Sequence, residues 1–363
     1  MRILYFGTYN PTYVRNSVLM DGLRANGMKI IECHDDSPGL KKFVKLFFKH
    51  WKLRNQYDVM VVGFLGQVIM PLAKIINFPL VSFRPTKPIV FDAFMSLYDS
   101  NVFGREKIKP KSIKAYYYWL LDWFSMSLGD LVLFDTQQHI NYASNEFGIK
   151  KRKLAKIFIG AKEDIFYPRP FEKNKDKFKV LFHGTFIKSQ GIEFILQAAK
   201  LLEGYSDISF TFVGDGQVRI KMEKLAYDLK LGNVTFTGLM PISEIPNYIA
   251  GADVCLGLFG KAEKIQRVIA TKVFECVAMG KTVLTADTPA IRELFDDKDL
   301  MLVDIADAQG IADGILKLRS DQDLSGELAK NGYKKFVEHA STNILGKEFA
   351  DLILGLEKRT KSV

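Results

Sequence analysis

Short apolar runs alternate with longer amphipathic segments along the whole chain. In the first half such runs predict buried strands at 2–6, 28–33, 59–64, 88–91 and 131–134, with a helix at 16–26 that ends at Gly27. In the second half they predict strands at 180–183, 209–213, 234–237, 254–257, 282–285 and 301–303, separated by helices at 191–202, 218–229, 243–250 and 271–279. Strands that alternate with helices predict an α/β chain whose doubly wound parallel sheets carry helices on both faces.

A segment rich in proline and charge, FYPRPFEKNKDKF at 166–178, predicts a boundary between two domains. The length of 363 residues also suits two domains. We therefore expect an N-terminal Rossmann-like domain over 1–168, a linker over 169–177 and a second Rossmann-like domain over 178–340. A C-terminal helix over 341–363 would pack back on the first domain. Two such domains would face a cleft where the carboxyl ends of both sheets meet.

The apolar segment 59–83 is long enough to span a membrane. However, it contains Gln67, Lys74 and two prolines, and a central lysine in a spanning helix costs about 3 kcal/mol. A strand over 59–64, a helix over 67–76 and a second strand after them fit the segment better.

Cysteine usage and the chain start both bear on the compartment. The three cysteines are far apart and have no metal-ligand spacing; they are Cys33, Cys255 and Cys276. The first residues lead directly into a strand, without the basic and apolar regions of a signal peptide. We therefore expect a reducing, cytoplasmic location.

The net charge of +10 belongs entirely to the first half of the chain. Residues 1–172 hold 25 Lys or Arg and 15 Asp or Glu, whereas residues 173–363 hold 26 of each. This asymmetry predicts an anionic surface or partner for the first half alone. Nucleic acid is a weaker candidate than a membrane, because the chain has no recognised nucleic-acid module and its aromatic residues cluster with aliphatic ones.

The segment 40–54, LKKFVKLFFKHWKLR, combines six Lys or Arg residues with four aromatic rings and no acid. In a helix, Phe43, Phe47 and Trp51 would share one face. This pattern is typical of a helix in an anionic membrane interface, and also of an amphipathic helix packed on a sheet. The excess of lysine favours the membrane, and the similar segment 105–124 supports it. The residues assigned to this face are Lys41, Lys42, Phe43, Lys45, Phe47, Phe48 and Trp51.

Glycine-rich turns follow two predicted strands of the second half: HGTF at 183–186 and VGDG at 213–216. The first leads to a helix N-terminus, whose free N–H groups and dipole favour a diphosphate. A single turn of this kind is weak evidence, because glycine here also lets a helix pack closely on a strand.

Together, the ordered segments of residues 181–295 resemble the donor domain of the retaining family 4 glycosyltransferases, which have the GT-B fold. The segments are LFHGTFIKSQGIEFILQAAKLL, FTFVGDGQ, LGNVTFTGLMPISEIPNYIAGADVCLGLF and KVFECVAMGKTVLTADTPAIREL. Residues 129–168 and the start of the chain also resemble this family. The resemblance implies transfer of a sugar from a nucleoside-diphosphate sugar, with retention of configuration and without a cofactor.

Glu275 matches the family's glutamate that binds the nucleotide ribose, and a carboxylate suits a diol because it can accept two hydrogen bonds. An ordinary salt bridge on a helix surface is the alternative, although the neighbours of Glu275 are apolar. The residues that the resemblance assigns to the donor are Gly7, Gly184, Thr185, Lys188, Gly214, Leu239, Lys272 and Glu275.

The sequence departs from the family pattern at three positions. Thr185 replaces an arginine, Gln190 replaces a lysine, and Arg267 replaces the first of two glutamates. A leaving diphosphate must be balanced by a cation, a metal or a helix dipole. No Asp-x-Asp motif stands at a suitable strand end, so we expect a metal-independent reaction. The candidate replacement cations are Lys188, Lys264, Arg267 and Lys272, and we assign Arg267 a catalytic role.

In the first half, the resemblance places Tyr9, Arg15 and Asn16 in a loop that contacts the acceptor, although Asn16 could equally cap a helix. Asp92 lies where the family has a catalytic histidine. It could orient or deprotonate the acceptor hydroxyl, or simply cap a helix. His139 resembles a position of the same motif. The alternative is a structural role, in which its side chain only packs within the domain.

These features predict a glycosyltransferase acting on a lipid-linked acceptor or surface-glycan precursor, peripheral on the inner face of the membrane. A sugar-nucleotide epimerase of the same fold is one alternative. Such an enzyme needs acid–base groups, however, and the five histidines of this chain form no evident acid–base pair. A non-catalytic subunit that binds a sugar nucleotide or a membrane is the other, because three of the family's charged residues are replaced.

Overall fold

The computed structural model describes residues 1–83, 85–171 and 176–361. Its strands are β1 Arg2–Gly7, β2 Lys29–His34, β3 Val59–Val62, β4 Ile89–Phe94, β5 Leu131–Phe134, β6 Leu154–Lys156, β7 Phe178–His183, β8 Ile208–Val213, β9 Val234–Gly238, β10 Val254–Leu256, β11 Val283–Ala286 and β12 Met301–Val303. Its α-helices are α1 Val14–Ala25, α2 Lys41–Leu53, α3 Met70–Ile76, α4 Pro79–Ser82, α5 Leu97–Asp99, α6 Ile113–Leu128, α7 Gln137–Phe147, α8 Ile192–Leu201, α9 Arg219–Asp228, α10 Ile245–Gly251, α11 Thr271–Ala278, α12 Ala308–Ser320, α13 Gln322–His339 and α14 Thr342–Lys361.

The chain forms two compact units. The first comprises Met1–Asn101, Ile108–Gly160 and the C-terminal segment that begins at Thr342. The second comprises Ala161–Ser341 together with the short segment Val102–Lys107. Residues 172–175 of the predicted linker lie outside the described residues.

The first unit is built on a parallel sheet with the strand order β2-β1-β3-β4-β5-β6. Its central strands β3 and β4 are buried along their whole length, as expected when helices cover both faces of a parallel sheet. The strand order reverses between β1 and β3, so the loops that follow these strands diverge at the carboxyl edge.

The second unit repeats this design with the order β12-β11-β10-β7-β8-β9, again entirely parallel. Here the order reverses between β7 and β10. Crevices at such a reversal are the usual ligand sites of open α/β sheets. The loops after β7 and β8 are the two glycine-rich turns that the sequence analysis singled out.

One predicted strand is wrong. The segment after residue 78 forms the short helix α4, not a second strand. Pro79 occupies the first helical position, where its fixed φ is favourable, and Phe83 ends the helix in the left-handed region with φ 55°. Among the described residues, no helix is both long and apolar enough to cross a membrane.

The structure divides the aromatic residues of the predicted membrane face of α2 between the core and the surface. Leu46 and His50 are the buried residues of this helix, and Phe43 and Phe47 pack against the same core. The helix therefore turns the predicted aromatic face towards its own sheet, which is the alternative that the pattern left open. Phe48, by contrast, is 60% exposed.

Helix α14 packs on α1 through a contact between two backbones. A Cβ atom added to Gly346 would lie 2.1 Å from the carbonyl carbon of Gly22, so only glycine fits. Asn26 Nδ2 donates a hydrogen bond of 2.9 Å to the carbonyl oxygen of Asn343 beside this crossing. The C-terminal helix is thus held against the first helix of the chain.

We expect Gly346→Ala to lower the free energy of unfolding of the first unit by about 3 kcal/mol, because the helices must separate to admit the methyl group. The matched control is Gly355→Ala in the same helix, where an added Cβ meets no atom within 4 Å. That change should stabilise the helix by up to about 1 kcal/mol. Urea denaturation followed by circular dichroism measures both, and equal effects would contradict the backbone contact.

Candidate functional site

Glu275 lies on α11 and pairs with a histidine from the central strand of its sheet. Its Oε2 is 2.8 Å from Nε2 of His183, the last residue of β7. The side chain of Glu275 is 14% exposed and that of His183 is 5% exposed. Most other residues of α11 are buried, so the helix holds the carboxylate close to the carboxyl edge of β7.

His183 was not singled out by sequence reasoning. An ionised carboxylate can only accept, so Nε2 of His183 carries the proton and donates it. The other ring nitrogen, Nδ1, is buried and has no hydrogen-bond partner among the described residues. The only sequence signal for this residue was its position as the first residue of the turn HGTF, immediately before Gly184.

The turns after β7 and β8 touch backbone to backbone. Gly184 and Gly214 have φ values of 134° and 136°, which residues with a side chain rarely adopt. A Cβ atom on Gly214 would lie 2.0 Å from the carbonyl oxygen of Gly184. These two glycines are therefore required by both conformation and space.

Gly214→Ala is expected to lower the free energy of unfolding of the second unit by about 3 kcal/mol or more, because the turn is strained and the methyl group overlaps a carbonyl. Gly204→Ala serves as the control, since a Cβ there meets nothing within 4 Å. Thermal unfolding of both variants measures the difference. If Gly214→Ala melted like the control, the close approach of the two turns would be disproved.

A pocket of about 230 Å³ opens where these turns meet α11. It combines backbone of the glycine turns, the His183–Glu275 pair and exposed apolar groups such as Leu239, which is 78% exposed. Its lining brings together five of the residues that the resemblance assigned to the donor: Gly184, Thr185, Gly214, Leu239 and Glu275. Gly7 ends β1 of the first unit, with φ 134°.

Lys272 lies directly behind the first glycine turn. A Cβ on Gly184 would be 3.3 Å from Lys272 Nζ, which donates a hydrogen bond of 2.6 Å to Gln190 Oε1. The same Nζ is 3.5 Å from the centre of the Phe182 ring. Burial lowers the pKa of Lys272 to about 7, although Cys276 and Glu275 act in the opposite direction. Gln190, at the position where the resemblance predicts a lysine, therefore accepts a hydrogen bond from another lysine.

The other candidate cations are placed differently. Lys188 Nζ forms a half-exposed salt bridge of 2.5 Å with Glu106. Arg267 ends the 3₁₀ helix Glu263–Arg267 and is half-buried, and Lys264 of that helix is buried. None of the three belongs to the pocket lining among the described residues.

Asp92 and Arg15, which the sequence analysis predicted to act on the acceptor, form a buried ion pair with each other. Both side chains are fully buried, and Arg15 Nε donates to both carboxylate oxygens of Asp92 at 3.1 and 3.0 Å. Arg15 Nη1 also donates to the carbonyl oxygens of Ile157 and Phe158. The pair joins α1, β4 and the segment after β6, and neither side chain is exposed to solvent.

Asn16 and Tyr9 are likewise buried parts of the first unit. Asn16 Oδ1 accepts a hydrogen bond from the Phe64 backbone N–H at 3.1 Å, and its Nδ2 donates to the carbonyl oxygens of Asn10 and Phe64 at 3.0 Å. The Tyr9 hydroxyl donates to Glu32 at 3.2 Å. Neither is available as the predicted acceptor contact, and Asn16 is not a helix cap either.

His139 belongs to another buried cluster of the first unit. Its Nδ1 is 2.5 Å from Asp135 Oδ1, and its Nε2 is 3.8 Å from Asp99 Oδ2.

Among the residues that the structure describes, no group of three or more His, Cys, Asp or Glu side chains could hold a metal ion.

Comparison with known protein families finds one match that lies within the second unit. Residues 164–335 match the family described as Glycosyl transferases group 1. The lipopolysaccharide core biosynthesis glycosyltransferase LpsE of Rhizobium meliloti is 27% identical over 176 residues, which cover 48% of this chain and 49% of LpsE. The match thus spans about half the length of that curated relative.

Solved structures resemble the whole chain. HepE of Anabaena in complex with UDP has a TM-score of 0.74 at 15% identity, covering 98% of this chain and 100% of HepE. Sucrose-phosphate synthase of Thermosynechococcus elongatus has a TM-score of 0.72 at 16% identity, covering 98% of both chains. HepE has also been solved with UDP-glucose.

These findings confirm the predicted α/β fold of GT-B type with two Rossmann-like sheets. The similarity of residues 164–335 to a glycosyltransferase family supports the predicted enzyme class.

Proposed function

We propose that this protein binds a nucleoside-diphosphate sugar in the pocket of the second unit and transfers the sugar with retention, as a variant of the family 4 glycosyltransferases. The observation that carries the proposal is the His183–Glu275 pair at the mouth of two touching glycine turns. This places a carboxylate next to backbone that can approach a phosphate closely.

In this proposal Glu275 binds the ribose. Its Oε2 already accepts a hydrogen bond from His183, and its two oxygens retain further acceptor capacity for the ribose hydroxyls. His183 orients the carboxylate, because a buried ring on a central strand has little freedom to move. Uridine is the base we propose, since HepE, which shares the fold, was solved with UDP and UDP-glucose.

The diphosphate would lie over the Gly184 turn, with Lys272 behind it. A leaving diphosphate carries negative charge that must be balanced in the transition state. Lys272 would supply the cation that the family draws from its arginine and lysine, while Thr185 and Gln190 stand at those two positions. Because this cation and the turn are provided by the chain itself, we propose that the reaction needs no metal ion.

The acceptor is proposed to be a lipid-linked or surface-glycan precursor at the cytoplasmic face of a membrane. Two observations support this. LpsE, which is 27% identical to this chain over 176 residues, is named for lipopolysaccharide core biosynthesis. The whole net charge of +10 lies in the first half of the chain, which suits an acceptor held at an anionic surface. Arg267 remains a candidate for the donor-sugar end of the site, where the family has a glutamate.

Calorimetric titration with UDP, GDP and ADP would test the nucleotide, and transfer from radiolabelled UDP-sugars to a membrane lipid extract would test the reaction. We expect binding of UDP and label in the lipid fraction. Binding without transfer to any acceptor would favour a non-catalytic subunit, and interconversion of UDP-sugars without acceptor would identify an epimerase. Either result would overturn the proposed transfer.

A further inference from the structure

Exposed large apolar side chains are concentrated on four neighbouring helices of the first unit and the turns beside them. We call this set the outer helical surface. Its members lie at α2, α3, α4 and α6, and they are Leu40, Val44, Phe48, Ile75, Phe78, Leu80, Phe83, Ile113, Tyr116, Tyr117, Leu120, Trp123 and Phe124. Monomeric soluble proteins rarely expose apolar side chains in such number on adjacent elements.

The four helices form a continuous layer. Helix α3 packs against α2, α4 and α6. The rings of Trp51 on α2 and Phe83 after α4 are in edge contact at 6.2 Å. Along α6, Trp119 stacks on Tyr116 at 6.2 Å and on Trp123 at 6.4 Å. The exposed groups therefore belong to one surface and are not scattered.

The charge of this layer has a single sign. Helices α2, α3, α4 and α6, all of whose residues the structure describes, contain one acidic residue, Asp122, and it is buried. The same helices expose lysines. Of these, Lys41, Lys52 and Lys114 form no ion pair with any described residue, whereas Lys49 is paired with Asp35.

At α4, the layer presents two strongly exposed apolar groups close to a cation. Leu80 and Phe83 are 79% and 75% exposed, and Arg54 Cζ lies 4.1 Å from the centre of the Trp51 ring. The layer therefore combines an aliphatic side chain, an aromatic side chain and a tryptophan stacked by an arginine. Such groups are favoured at the boundary between the acyl chains and the headgroups of a bilayer.

We propose that the outer helical surface docks on an anionic lipid bilayer, with Leu80 and Phe83 entering the boundary between headgroups and acyl chains. Exposed apolar groups supply insertion, and lysines without acidic neighbours supply attraction to the negative surface. This surface shares Lys41 and Phe48 with the face predicted from sequence. It differs because Leu40 and Val44, and not the core-packed Phe43 and Phe47, are its other apolar groups at α2, and because α3 and α4 contribute to it. It is separate from the donor pocket and does not depend on the proposed reaction.

Co-sedimentation of the full chain with sucrose-loaded vesicles tests this proposal. We expect the chain to sediment with vesicles of phosphatidylcholine and phosphatidylglycerol, and far less with pure phosphatidylcholine. Binding should weaken as the salt concentration increases from about 50 to 500 mM. The Debye length shortens over this range, so the attraction between the lysines and the anionic headgroups is screened. Absence of sedimentation with the anionic vesicles at low salt would overturn the proposal.

Two double variants separate insertion from attraction. Leu80→Ser with Phe83→Ser should lower the vesicle partition coefficient about tenfold through lost insertion, and Lys41→Glu with Lys114→Glu should lower it about tenfold or more through lost attraction. The matched controls are on the second unit: Ile220→Ser with Tyr227→Ser, which are 84% and 83% exposed, and Lys221→Glu. Equal loss in controls and test variants would contradict the assigned surface.

A second copy of the chain is the rival occupant. Analytical ultracentrifugation of the unmodified chain without lipid would detect it. A dimer abolished by Leu80→Ser with Phe83→Ser, together with unchanged vesicle binding, would overturn the proposal in favour of self-association. Binding of UDP by the same preparations reports separately on the donor pocket, so failure of either proposal can be recognised.

Discussion

Glu275→Gln is expected to lower the affinity for UDP about 10- to 100-fold, because hydrogen bonds to a charged group contribute about 1.5–3 kcal/mol. Glutamine keeps the size of the side chain but cannot accept from both His183 and a ribose diol as a carboxylate does. Calorimetric titration measures the change. Binding of 2′,3′-dideoxy-UDP, which lacks the diol, should be almost unaffected by the substitution.

The matched control is Glu327→Gln on α13 of the same unit, where the side chain is exposed. It should leave the affinity for UDP unchanged. His183→Phe is expected to weaken UDP binding less than Glu275→Gln does, and the two losses should be less than additive in the double variant. If Glu275→Gln bound UDP like the unmodified chain, the ribose assignment would be wrong.

Lys272→Met is expected to lower the affinity for UDP-glucose about 100-fold and, at the same time, to raise the thermal stability of the second unit. The first effect follows from loss of the cation behind the diphosphate turn. The second effect follows because, without a bound diphosphate, burying the ammonium group of Lys272 costs free energy of folding. Burying a methionine of similar length does not. A lysine with a purely structural role would give the opposite change in stability, so scanning calorimetry beside the titration decides between the roles.

The pH dependence of both effects has a definite sign. In the free protein, burial lowers the pKa of Lys272 to about 7, and a bound diphosphate would raise it. The complex then binds more protons than the free protein above pH 7, so the affinity for UDP-glucose should fall as pH rises from 7 to 9. UDP-glucose is the suitable ligand because its diphosphate is already fully ionised at neutral pH and does not change charge between pH 7 and 9. The Lys272→Met variant should lose this dependence.

Stability follows the same linkage. The unfolded chain has a lysine pKa near ~10.4, above the lowered pKa in the folded protein, so it binds more protons between pH 7 and 10. The free energy of unfolding should therefore rise with pH across this window. The stabilisation by Lys272→Met should be largest below pH 7. Lys188→Met is the control, because its Nζ already pairs with Glu106 at the surface; a loss of UDP-glucose affinity there as large as at Lys272 would contradict the assignment.

Local sequence signals located most strands and the glycine turns that line the pocket of the second unit. Gly184 and Gly214 were identified from turns that follow apolar runs, and their conformations in the structure depend on residues close in sequence. Glu275 was identified within a single helix. In each case the relevant geometry is set by neighbours within a few positions, which is the range over which a sequence pattern carries information.

The errors arose where the geometry depends on distant residues. Arg15 and Asp92 are 77 positions apart and form a buried ion pair. From the sequence alone, both residues were predicted to belong to the active site. The same holds for α2: aromatic or apolar residues recur on two arcs of this helix, one with Phe43 and Phe47 and one with Val44 and Phe48. Periodicity shows that a helix is amphipathic, but only packing decides which arc is covered.

The sequence by itself determined the order of strands and helices, the glycine turns, the place of Glu275 and the charge asymmetry between the halves, because all of these are local or compositional. Only the tertiary structure decided which charged groups are paired. Lys272 meets Gln190 across 82 positions, and His183 meets Glu275 across 92. These contacts exist because the strand order brings β7 to the centre of its sheet beside α11, and no spacing along the chain encodes that proximity.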